Sequence, residues 1–215
     1  MNNSFVEKYK KNKKFLEENN IYNELDEHSS CGVGLIASLD GSETREIVEL
    51  GVQALKVLYH RGAVDADGKT GDGAGIQLSI PKKFFREKIE RTGHQPNEFP
   101  FAVGMIFLPR TDFSAQENAR TIVESEIIKE DLKIYGWRHV PINSSIIGEK
   151  ARATRPEIEQ ILICNEYYTE EKEFENKLYL IRKRIEKEIR KQNIADFYIC
   201  SLSCQSIVYK GMFLA

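Results

Sequence analysis

No apolar run in this 215-residue sequence approaches the roughly 18 residues that a membrane-spanning helix requires, so no membrane partner is expected. Charge of one sign is also missing. Thirty-one basic residues oppose thirty-three acidic ones for a formal net charge of -2, which supplies no global field to draw the chain to nucleic acid or an anionic surface. The N-terminus lacks the apolar block of a secretory signal. Lysines crowd residues 8–14 and are followed by Phe15-Leu16-Glu17-Glu18-Asn19-Asn20, so residues 1–30 read as a polar leader, disordered or frayed helix, and not as a signal peptide. Cysteine is scarce: Cys31, Cys164, Cys200 and Cys204, read as reduced thiols of a cytoplasmic protein. Without a CxxC pair or clustered histidines, no metal site is expected. No repeat or low-complexity linker interrupts the chain, and 41% apolar residues suffice for one domain burying roughly 70% of its unfolded surface.

What is present is organised around Cys31. It opens Cys31-Gly32-Val33-Gly34-Leu35-Ile36-Ala37, an uncharged run that predicts a buried strand with the cysteine at its leading end. Asp40-Gly41 marks a turn. Ile47, Gly51, Ala54, Leu55 and Leu58 then recur at helical spacing, and the helix is expected to stop at His60-Arg61-Gly62-Ala63, where Arg61 by itself reads as a C-cap charge. The loop from Asp65 to Gly75 is dense in glycine and carboxylate. A phosphate loop would open a helix, whereas an alternating strand follows; a calcium loop would need a glutamate at its twelfth position. A tight structural turn is the favoured reading.

Further elements are expected as a helix over 82–91, a strand over 101–108, a helix over 114–131 capped by Ser114 with Glu117, and strands over 133–140 and 158–164. A long helix capped by Thr169 runs to about Gln192, with the apolar stripe Phe174, Leu178, Ile181, Ile185 and Ile189. Its basic residues are interspersed with glutamates, which suits a solvated face better than a nucleic-acid surface. Two short strands, 196–202 and 206–209, close the pattern as an antiparallel pair, with Cys200 and Cys204 on one face. The pattern is a mixed α+β domain.

Five segments in order, Cys31–Ala37, His60–Ala63, Asp67–Gly75, Gly136-Trp137-Arg138-His139-Val140-Pro141 and Phe197–Ser203, resemble the N-terminal class II glutamine amidotransferase domain of the glutamate synthase large-subunit family. The resemblance implies an N-terminal-nucleophile hydrolase fold, an αββα sandwich of antiparallel sheets, with residues 1–30 as a removable leader and 31–215 as the amidotransferase domain. It implies that Cys31 is the nucleophile, its α-amine the base after processing, and that Arg61 lies at the active site. Glutamine would be the substrate and the remaining glutamate synthase domains or subunits the partners. FMN and an iron–sulfur cluster are expected in those domains and no cofactor in this chain.

The family's arginine for the substrate carboxylate and its Asn-Gly pair for the oxyanion lie beyond the equivalent of Gly211, and neither motif occurs here. The fold is therefore expected to be incomplete at its C-terminus and the chain inactive alone; the alternative is a non-catalytic remnant or interaction module of the same fold.

Overall fold

A computed structural model describes residues 3–19, 32–95, 100–165, 170–212 and 214. Contacts divide the chain into two units, Met1–Val33 and Gly34–Ala215. In the first, α1 runs Asn3–Asn19 with its described side chains largely exposed, including an i,i+4 ion pair between Lys14 and Glu18 at 3.6 Å.

The second unit is built on two antiparallel sheets. Its elements in chain order are α2 (Arg45–Val57), a 3-10 turn (Leu58–Arg61), β1 (Ala74–Ser79), α3 (Lys82–Glu90), β2 (Phe101–Leu108), α4 (Phe113–Ile128), β3 (Lys133–His139), α5 (Glu149–Thr154), β4 (Glu157–Cys164), α6 (Glu171–Lys191), β5 (Tyr198–Ser203) and β6 (Ser206–Gly211). The larger sheet has the order β3-β4-β2-β5 and the smaller one pairs β1 with β6. Strand β2 is apolar throughout because both its faces are covered. Ala102, Ile106 and Leu108 enter one core cluster with α4 and α6; Phe101, Val103 and Met105 enter a second, shared with Ile207 of β6, Leu78 of β1, and Phe85 and Ile89 of α3. This is a helix layer on a sheet, and a second sheet on its other face. Helix α2 meets β1 where Gly51 lies against Ile76.

The α6 stripe is buried as its spacing predicts: Phe174, Leu178, Ile181, Ile185 and Ile189 all face the first cluster. Each side chain contributes about 1.5–3 kcal/mol. Its polar face is neutralised locally, with Arg182 and Lys183 on Glu186, Lys177 on Glu130, and Arg184 on Glu126 and Glu130.

Several expectations need correction. The run after Cys31 is not a strand over its described residues, and Val33 and Leu35 are each 92% exposed. An apolar run states what can be buried; it does not supply the neighbouring strand whose N–H and C=O groups would pair with it. Helix α4 is capped by Asp112, whose Oδ1 accepts from Ala115 N at 2.9 Å, rather than by Ser114, which lies inside the first turn. For α6, Thr169 lies outside the described residues, and Glu170 is the N-cap without a side-chain capping bond. Strands β5 and β6 do not pair with each other: β5 joins β2 while β6 joins β1. Ser203 Oγ accepts from Gln205 N and Ser206 N, each at 3.0 Å, holding a turn that carries the chain from one sheet to the other.

Cys200 and Cys204 also part company. A bulge opposite Met105 and Ile106 breaks the alternation of β5, so that Ile199 and Leu202 share a side. Cys200 consequently faces the inter-sheet cluster and Cys204 the helical one. Helix α5 was not expected.

Candidate active site

Cys31 lies outside the described residues. Arg61 is the last residue of the 3-10 turn that ends α2, so the geometry on hand begins with the backbone that positions it. That turn is closed by Gly62 N donating to Tyr59 O at 3.1 Å, and His60 Nδ1 lies 3.0 Å from Val57 O. Gly62 then leaves in ordinary extended conformation, φ -85°, so the helix stops without a left-handed residue.

The chain next folds back on itself. Asp72 N donates to Ala63 O at 3.2 Å, Val64 bridges Gly71, and Asp65 N donates to Thr70 O at 2.9 Å. Residues 63–72 thus form a small hairpin whose first arm follows directly on Arg61 and whose second leads into β1. The tip is organised by Asp67. Its Oδ1 accepts from Lys69 N at 2.9 Å and Thr70 N at 2.7 Å; its Oδ2 accepts from Thr70 Oγ1 at 2.6 Å and from Glu149 N, at the start of α5, at 3.2 Å. Beside it, Lys150 Nζ pairs with Asp65 Oδ2 at 2.6 Å. The carboxylates that resemble a cation loop in sequence direct their oxygens at N–H, hydroxyl and ammonium donors instead.

These bonds favour the ionised carboxylates. Thr70, through its hydroxyl and then its backbone, with Lys69 N, holds the Asp67 carboxyl down at about 2 against an ordinary 3.8; the Lys150 ammonium and Ala66 N lower Asp65. Because the folded-state value is depressed, the tip's contribution is complete above pH 3.8 and is lost as pH falls through about 2. Carboxyl NMR shifts followed over an acid titration are expected to show Asp67 still ionised at pH 3; a midpoint near 3.8 would contradict the bonding described.

The three described cysteines, Cys164, Cys200 and Cys204, are buried. Cys204 Sγ lies 3.2 Å from Glu175 Oε2 and 3.7 Å from Glu171 O, and burial, reinforced by Glu175, pushes its thiol up to about 12. Burial raises Cys200 as well. Neither forms a ready thiolate near neutral pH.

His139, Glu157 and Glu159 gather at one end of the β3–β4 pair, with His139 Nδ1 at 3.3 Å from Glu157 Oε1 and 3.2 Å from Glu159 Oε1. Their ligand atoms lie within 4.8 Å of one another, but both oxygens of buried Glu159 already accept from Arg120, at 2.9 and 2.6 Å. The Arg120 guanidinium thus occupies the buried carboxylate of the cluster, which is part of an ion-pair network rather than an open ligand set. It accounts for part of the Gly136–Pro141 motif. Gly136 sits at φ +142° beside a bulge in β3, a conformation that side chains rarely adopt. Trp137 Nε1 donates to Glu124 at 2.7 Å, and Arg138 donates to Gln160 at 2.5 Å.

Gly148 and α5 are the features that sequence reading missed. The pairing of Gly148-Glu149-Lys150 with a loop eighty residues earlier leaves no periodic signal; the only local hint is the glycine. Among the described residues no helix is long and apolar enough to cross a membrane.

Comparison with known proteins adds the context. A family profile described as "Glutamine amidotransferases class-II" matches residues 31–215. The chain is 56% identical over 211 residues to the glutamate synthase (NADPH) large chain of Azospirillum brasilense, covering 98% of this chain and 14% of that protein. It is 40% identical over 189 residues to ferredoxin-dependent glutamate synthase 2 of Synechocystis sp., covering 87% of this chain and 12% of that protein. A third relative, the glutamate synthase (NADPH) large chain of Bacillus subtilis, is 39% identical over 197 residues, covering 89% of this chain and 12% of that protein. The chain therefore spans between 12% and 14% of the length of these relatives.

Proposed function

Because the chain belongs to the class II glutamine amidotransferases, we propose that it carries the glutaminase step of a glutamate synthase, releasing ammonia from glutamine through a thioester on Cys31. The observation that carries this reading is the family match itself, which begins at the cysteine and runs through residue 215.

The chemistry requires a free α-amine on Cys31. A terminal amine has an ordinary pKa near ~7.8, close to that of a thiol at ~8.5 and far below lysine at ~10.4, so it can accept the thiol proton near neutral pH. The thiolate then adds to the side-chain amide carbon of glutamine, the tetrahedral oxyanion collapses, and the amide nitrogen leaves as ammonia with the proton. Water attacks the thioester, giving glutamate and restoring the thiol. While Ser30 is attached, the same nitrogen is an amide and has no basic lone pair, so residues 1–30 are proposed to be removed. Arg61 is proposed to stand at this site. FMN and an iron–sulfur cluster would serve domains outside this chain, and a cytoplasmic location is proposed with them.

Residues 1–215 alone are proposed not to turn over, since the arginine and Asn-Gly motifs implied by the resemblance are absent from this sequence and loss of even one oxyanion donor costs ~100- to 1000-fold. The test is intact mass and glutaminase assay of the full polypeptide from its own cells, beside residues 31–215 alone. The expected result is a chain that starts at Cys31 and releases ammonia, and an inactive fragment. Turnover by a chain that retains Ser30 would overturn the nucleophile assignment; turnover by the fragment would overturn its dependence on the rest.

A further inference from the structure

We propose that Asp67 is a positioning residue for Arg61, acting as a latch between the 63–72 hairpin and the start of α5. The inference rests on the reading of Arg61 as an active-site residue and adds what holds its backbone in place.

Arg61 ends one short helical turn, and the chain that follows it has few restraints of its own. Gly62 and Ala63 are exposed, Gly62 in extended conformation, and the first long-range hold is Ala63 O accepting from Asp72 N. That bond exists only while the hairpin is closed, and the closure is set at its tip. Asp67 uses one oxygen to gather Lys69 N and Thr70 N and the other to bond the Thr70 hydroxyl and Glu149 N. Thr70 is buried although it sits at the tip of a surface hairpin, as a docked tip requires.

The opposite side of the latch is shaped for this contact. A Cβ on Gly148 would collide with Asp67 Oδ2 and Thr70 Oγ1 and lie 2.7 Å from Thr70 N. No side chain fits between α5 and the tip, so residue 148 must be glycine for the two to meet. The Lys150–Asp65 pair adds a second tie, but both groups reach solvent, so it is the weaker one. Displacement of an active-site group by about 1 Å can cost on the order of 100-fold in rate, and a hairpin released at its tip swings the arm that leads from Arg61.

The latch can be broken from either side. In the full-length enzyme, Asp67→Asn removes the acceptor for Glu149 N and the Thr70 hydroxyl while leaving size and Oδ1 bonding; Gly148→Ala pushes the tip away without touching the hairpin's sequence. Each is expected to lower glutaminase kcat/KM by roughly 10- to 100-fold, and any fall in the thermal midpoint is expected to leave the chain folded at the assay temperature. Lys150→Ala is expected to change it by less than about threefold. The decisive readout is a double-mutant cycle with Arg61→Lys, in which Asp67→Asn costs less than about twofold once Arg61 is replaced. If Arg61→Lys alone leaves activity intact, the reading of Arg61 falls and the positioning role with it. If Arg61→Lys is deleterious but Asp67→Asn and Gly148→Ala are silent, the latch is overturned while the reading of Arg61 stands. Fully additive losses overturn it too, because the hairpin would then act on something other than Arg61.

Discussion

Replacement of Cys31 by serine in the full-length enzyme is expected to lower ammonia release from glutamine by roughly 1000-fold or more, with the far-ultraviolet circular dichroism unchanged. The reason is a matching of acidities. A terminal amine near ~7.8 takes a proton from a thiol near ~8.5 at little cost, and the thiolate so formed is intrinsically nucleophilic. A serine hydroxyl in the same place is far less acidic and gives the amine nothing it can readily deprotonate. No described cysteine can take over, because Cys164, Cys200 and Cys204 are all buried, and the thiols of Cys200 and Cys204 are shifted upward, Cys204 to about 12. Loss of a nucleophile that works as a unit with its base removes nearly all of the acceleration they provide together. Retention of a tenth of the activity in Cys31→Ser would show that the chemistry runs without this thiol.

Arg120→Met is expected to destabilise the chain by about 3–5 kcal/mol, read as a shift in its urea-unfolding midpoint. Glu159 is 1% exposed on the face of β4 that meets α4, and both its oxygens accept from the Arg120 guanidinium. The same guanidinium also reaches Gln116 Oε1 at 3.1 Å and pairs with Glu117. Bonding to Glu159 raises the Arg120 pKa further, against the burial that would lower it, so the cation persists at any pH of interest. Without it, a carboxylate would remain buried with only His139 among the described residues, itself solvent-exposed, at 3.2 Å. The comparison that isolates this cause is Arg120→Met with Glu159→Leu. The double replacement puts apolar groups on both sides and is expected to recover most of the loss, since the penalty lies in the unpaired charge. A cost below about 1 kcal/mol for Arg120→Met would mean that water reaches Glu159 and that the pair is ordinary surface chemistry.

Local features of the chain were legible because each is written in consecutive residues. The strand Phe101–Leu108 coincides with its expected span, and the α6 stripe is buried at every one of its five positions, since burial of one face at 3.6-residue spacing dictates which residues must be apolar. The same logic misplaced the α4 cap by two residues. Asp112 and Ser114 both suit an N-cap, and the choice turns on where the chain leaves β2. It also placed Cys200 and Cys204 on one face, which a bulge in β5 reverses; a bulge is set by the partner strand and has no periodic mark of its own.

The candidate site divides in the same way. By itself the sequence determined the order of the motifs, the identity of the cysteine that opens them, the charged face of α6 and the absence of a membrane-length apolar run, because composition and spacing act along the chain. Only the tertiary structure decided that β5 and β6 belong to different sheets, that the run after Cys31 forms no strand over its described residues and leaves Val33 and Leu35 exposed, and that Asp67 meets Gly148 and Glu149 from eighty residues away. Those outcomes depend on which backbone donors and acceptors find partners across space, and on whether a single Cβ would fit between two segments. Neither quantity is encoded in any one stretch of residues.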